Sequence, residues 1–126
     1  MTDQPEPNRR IVVWVASSRK DIRDMPPEVR REFGQAIDDA ELGGKHPHAK
    51  PLKGIEAVEV VTDFDGDTFR AVYTVKLEGY LYVLDAFQKK STTGRKTAVV
   101  DIDRIKRRLA AAKENHRMRT ATQGTG

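Results

Sequence analysis

The chain contains no cysteine, which excludes disulfides and thiolate-held metals and leaves a reducing cytoplasm as the expected location. It also lacks any apolar run near the roughly 20 residues of a membrane span, so no membrane association is expected. Met1 to Arg10 is polar and proline-bearing, and the apolar run after it stops at Ala16, too short for a signal peptide. Within its 126 residues, 37% are hydrophobic and 33% charged, which suits one domain with a modest core under a charged surface.

The formal charge of +4 is unevenly spread. From Lys20 to Asp67 there are 7 basic and 12 acidic residues, net −5; from Ala86 to Arg119 there are 11 basic and 3 acidic, net +8. Such polarity suits an anionic partner on the C-terminal side, although a solvated basic helix face produces the same count.

Hydrophobic patterning predicts the elements. Arg10 to Ala16 is a β-branched apolar run and reads as a strand. Ser18-x-x-Asp21 has the form of a capping box opening a short helix through Met25. Pro26-Pro27 breaks that helix and starts the next, in which Val29, Phe33, Ala36, Ile37 and Ala40 share a face as far as the Gly43-Gly44 terminator. Lys45 to Glu56 is expected to be loop, and Ala57 to Phe64 a strand. Asp65-Gly66-Asp67 marks a hairpin, and Thr68 to Leu77 alternates cleanly, with Arg70 on its polar side. After a turn at Glu78-Gly79, Tyr80 to Gln88 is almost wholly apolar, as in a central strand covered on both faces. A polar loop follows, then a helix from Thr97 to His116 with Ile102, Ile105, Leu109 and Ala112 as its buried stripe. The expected fold is α+β, in the order strand, two helices, three antiparallel strands, helix, with helices on one face and the other face open and concave. Residues 1–9 are expected to form a disordered leader, 10–117 the domain and 118–126 a flexible tail.

Cations on strands need a reason, and phosphate is the simplest. Arg70 lies between apolar residues on one strand, and Lys89-Lys90 close another. Arg70 can grip phosphate oxygens in bidentate fashion, or it can pair across strands with a carboxylate such as Glu59. Adjacent lysines alternate faces on a strand, so only one of Lys89 and Lys90 points into a cleft. His46 and His48 have a spacing compatible with a metal or with acid–base work, but the sequence places no third ligand, and no metal or cofactor is expected. Tyr73, Tyr80 and Tyr82 are candidates for core or for base stacking, and Trp14 for core. His116 is expected near the helix C-terminus, in a structural role.

Pro51-Leu52-Lys53-Gly54, Phe69-Arg70-Ala71-Val72-Tyr73 and Phe87-Gln88-Lys89-Lys90-Ser91, in this order of elements, resemble the phage-derived Gp49-like/HigB branch of the RelE/ParE toxin superfamily. The resemblance implies a compact RelE/ParE-like domain that acts as the toxin of a type II toxin–antitoxin system. The implied activity is metal-independent, ribosome-dependent mRNA cleavage that inhibits translation. It implies phosphate positioning by Arg70 and action on the phosphate or leaving group by Lys89 and Lys90. It implies RNA contact by Lys53, and the loop residues Arg95, Lys96 and His48 are expected to bind RNA with it. The implied partners are the ribosome, mRNA and a helix-turn-helix, HigA-like antitoxin. Two positions depart from the pattern: Glu59 and Val61 stand where relatives carry basic residues. The same scaffold also serves ParE-like toxins that bind DNA gyrase without cutting nucleic acid, and a basic phage-derived interaction module is the third possibility.

Overall fold

The computed structural model describes residues 9–89 and 98–124, the side chains of 122–124 excepted. Strand β1 (Ile11–Trp14) leads into helices α1 (Ser18–Arg23) and α2 (Pro27–Glu41). Strands β2 (Ala49–Pro51), β3 (Val58–Phe64), β4 (Asp67–Thr74) and β5 (Tyr80–Lys89) follow, and helix α3 (Val99–Gly124) closes the fold. The sheet order is β1-β5-β4-β3-β2. β1 runs parallel to β5, and the other pairings are antiparallel. The α+β fold is therefore as the sequence predicts.

Local chemistry explains the element ends. Pro27 occupies the start of α2, where a missing N–H costs nothing. At its other end Gly43 turns to φ +87°, and the Gly43 and Gly44 N–H groups donate to the Ala40 and Asp39 carbonyls, closing the last turn. Asp65 and Gly66 both take positive φ in a two-residue hairpin whose twist matches the flanking strands. The expected capping box at Ser18 does not form. Ser18 lies inside α1, buried, and its hydroxyl donates to the Val83 carbonyl at 3.0 Å, so it fastens α1 to β5.

Four expectations need correction. The predicted loop 45–56 contains a strand, β2, because Ala49 to Pro51 pairs with β3. β4 stops at Thr74 rather than Leu77. The second face of the sheet is not open. Val29, Phe33, Ala36, Ile37 and Ala40 pack with Val60, Phe69, Ala71, Tyr73, Leu81 and Val83 on one side. Ile105, Leu109 and Ala112 of α3 pack with Val72, Tyr80, Tyr82 and Leu84 on the other. The helices thus lie on both faces. The stripe on α3 was legible, but the face it covers was not. α3 also runs past His116 to Gly124, through the stretch expected to be a flexible tail. The expected leader, 1–9, falls almost wholly outside the described residues.

One irregularity orients the site. The β4–β5 register shifts, so that Val72 pairs with Asp85 but Tyr73 with Val83. Leu84 is the extra residue of a bulge. Before it, Tyr80, Tyr82 and Leu84 face α3; beyond it, Asp85 and Phe87 do, while Ala86 joins the α2 side. Uninterrupted alternation after Leu84 would send Asp85 into the apolar core under α1 and α2.

Candidate functional site

The α3-facing side of β3, β4 and β5 carries the strand cations. Arg70 sits opposite Val61 on β3 and Phe87 on β5. It is buried, with 3% of its surface exposed, and its Nη1 donates to Glu59 Oε2 at 2.5 Å. The Lys50 Nζ lies 3.8 Å from the other Glu59 oxygen. Arg70 thus meets the carboxylate that the sequence offered as its alternative partner, in a line of charge running from the exposed Lys50 through Glu59 to Arg70, the last two buried. A guanidinium so placed is oriented and largely neutralised before any substrate arrives.

Lys89 sits opposite Thr68 at the end of β5, half-buried, on the same two strands as Arg70. It lines a cavity of about 550 Å³ between α1, the end of β5 and α3, together with Asp85, Phe87, Gln88, Asp101, Arg104 and Arg108. Asp85 anchors this wall. It is 1% exposed, and it accepts from Arg104 Nε at 2.6 Å and Arg108 Nη1 at 3.0 Å. Arg104 also bonds Asp101 at 2.7 Å and lies 5.2 Å over the Phe87 ring. Burial works against the Arg104 charge, but its bonds to Asp85 and Asp101 more than offset that and hold its pKa above the ordinary value. The lining offers three cations and three carboxylates, counting Asp21, and so can grip a polar ligand without a strong net field.

The structure brings Arg70 and Lys89 to one side of the sheet. Lys53 is exposed in the turn before Gly54, at the β2 end. His48 is drawn away from Arg70, toward Glu32 of α2, the helix covering the other face. Lys90, Arg95 and Lys96 lie outside the described residues. All three tyrosines are buried in core: Tyr73 under α2, and Tyr80 and Tyr82 under α3, with the Tyr82 hydroxyl donating to Asn115 at 2.8 Å. His116 is not at a helix end. It packs edge-on against Tyr80 and Tyr82 in mid-α3.

The sequence reading missed Asp85, Arg104 and Arg108. The signal was present: a lone carboxylate inside an apolar strand requires a cation, and Arg104 and Arg108 stand four apart beside the Ile105/Leu109 stripe. The basic excess of the C-terminal third is also partly consumed internally, since Lys113 and Arg117 pair with Glu56 and Glu114.

The family model described as phage-derived protein Gp49-like matches residues 20–110. No curated protein matches the chain significantly. Among the described residues, no helix is long and apolar enough to cross a membrane.

Proposed function

We propose a function from one premise: the chain belongs to the phage-derived Gp49-like family, of RelE/HigB toxin–antitoxin type. On this reading the protein is the toxin of a type II toxin–antitoxin pair, working in the cytoplasm as a ribosome-dependent mRNA endonuclease and held off by a helix-turn-helix antitoxin. The observation that carries it is the placement of Arg70 and Lys89 on the same side of adjacent strands, β4 and β5.

The chemistry needs no metal. The substrate's own 2′-hydroxyl attacks the neighbouring phosphorus, giving up its proton to solvent water, and the bond to the 5′-oxygen breaks, which leaves a 2′,3′-cyclic phosphate. Arg70 holds nonbridging oxygens as charge builds on them, and Lys89 or Lys90 gives the leaving oxygen its proton. Lys53, Arg95 and Lys96 carry the flanking backbone. Glu59 has a defined part: it holds the Arg70 fork in position, and an incoming phosphate competes with it for the guanidinium.

That same pair favours a second reading. A buried, neutralised Arg70 beside Val61 suits a ParE-like gyrase-binding toxin or an interaction module, in which the arginine is structural. Induced expression with mapping of transcript 5′ ends separates the two. New ends inside translated codons support the nuclease; growth arrest with intact transcripts and DNA damage supports the gyrase reading.

A further inference from the structure

On the other side of the molecule, three side chains that could hold a metal converge. Glu32 of α2 meets His46 and His48 from the segment entering β2. Each offers one ligand atom, and these atoms lie within 4.8 Å of one another. The His46 Nε2 to Glu32 Oε1 distance is 2.7 Å, and His48 Nδ1 lies 3.7 Å from the same oxygen. The two imidazoles meet edge to face with centroids 5.1 Å apart. We propose that Glu32, His46 and His48 form a binding site for one borderline-soft divalent cation of the Zn²⁺ type, which clasps the segment entering β2 onto α2.

The spacing fits the ion. Zinc holds nitrogen and oxygen ligands at about 2.0–2.2 Å, so neighbouring ligands in a tetrahedron stand about 3.4 Å apart. The two distances to Glu32, 2.7 and 3.7 Å, bracket that edge. Those two edges need changes of under about 1 Å, and the remaining edge, between the two histidines, lies within 4.8 Å. His46 is 5% exposed and rigidly seated, whereas His48 and Glu32 reach solvent and give the ion its entry path. Two imidazoles and one carboxylate leave a fourth position for water and suit zinc-like ions over magnesium, which prefers an all-oxygen octahedron.

The metal-free cluster has its own closed bonding. His46 Nδ1 accepts the His48 backbone N–H at 3.0 Å, so the neutral ring carries its proton on Nε2 and donates it to Glu32. An ion taken at Nε2 moves that proton to Nδ1 and displaces the His48 N–H. Uptake therefore resets the turn between His46 and His48, immediately before β2. That strand pairs Lys50 with Glu59, so the clasp bears on the edge of the sheet that carries the charge line to Arg70. The ion itself lies with α2, the helix covering the face opposite Arg70, and takes no part in phosphate chemistry.

The test uses the untagged full chain, with thermal unfolding and a competing chromophoric chelator as readouts. Zn²⁺ should bind with saturation at one equivalent and raise the Tm by several degrees, and Mg²⁺ should do nothing. His48→Ala and Glu32→Gln alter solvent-reaching side chains; each should lose the zinc-dependent rise, measured against its own metal-free Tm. The proposal is overturned if zinc leaves the wild-type Tm unchanged, if either variant keeps the full rise, or if Mg²⁺ produces it equally.

Discussion

Arg70 carries two duties that a single alanine substitution confounds. Its guanidinium neutralises Glu59 in the sheet, and on the nuclease reading it also grips the scissile phosphate. Removing it alone leaves the buried carboxylate with only the exposed Lys50 at 3.8 Å as a counter-charge, at a cost of up to about 3–5 kcal/mol of stability. Losing a phosphate contact that strengthens in the transition state costs about 2–4 kcal/mol, roughly a hundredfold or more in rate. Arg70→Met should therefore lower both Tm and transcript cleavage. Pairing it with Glu59→Leu should restore the Tm, because an apolar pair of similar volume replaces a buried ion pair at little cost, while cleavage stays lost. If the double variant cuts transcripts at the wild-type rate, Arg70 is structural and the phosphate role is wrong.

At the scale of elements, the informative joint is α3 against the sheet. The apolar contribution of α3 is modest, with Ile105, Leu109 and Ala112 as its buried members. Asp85 supplements it with bonds to Arg104 and Arg108, and Arg108 also donates to the Leu84 carbonyl at 3.0 Å. The β5 bulge aims that carboxylate at α3. Asp85→Asn keeps the shape but removes the charge from two half-buried arginines. We expect a loss of about 2–3 kcal/mol, from the usual worth of hydrogen bonds to a charged group. Amide exchange should speed up selectively in α3 and β5, with α2 protected as before. Uniform loss of protection across the molecule would show that Asp85 supports the whole core rather than this joint.

For the whole molecule, the two cores predict an alkaline limit to stability. Tyr73 under α2 and Tyr82 under α3 are buried. Burial first, and for Tyr73 also the charge of Asp39, pushes each phenol above its ordinary value of 10.0. A raised folded-state pKa gives stability that is complete below the unfolded value and is lost as pH rises through the folded one. The Tm should therefore hold up to about pH 10 and fall steeply above it. A Tyr73→Phe, Tyr82→Phe variant should lose less over that interval. An identical alkaline fall in the variant would assign the effect to lysines instead.

The sequence by itself determined what depends on neighbours along the chain. Strand alternation placed Arg70 opposite Phe69, Ala71 and Tyr73, and the turns at Asp65-Gly66 and Gly43-Gly44 follow from the backbone those residues allow. The three family motifs were legible for the same reason, being contiguous. Tertiary structure alone decided whatever depends on residues far apart. Nothing local says that α3 turns back onto the Tyr80/Tyr82 side, that a bulge at Leu84 reverses the strand's facing, or that Glu32 arrives beside His46 and His48. β2 is three residues long and exists because β3 offers it an edge. The charge count pointed to a basic C-terminal surface, but only folding showed how many of those cations are already bound to Asp85, Asp101, Glu56 and Glu114. A charge's worth depends on what it touches, and contact between distant residues is set by the packing of whole elements.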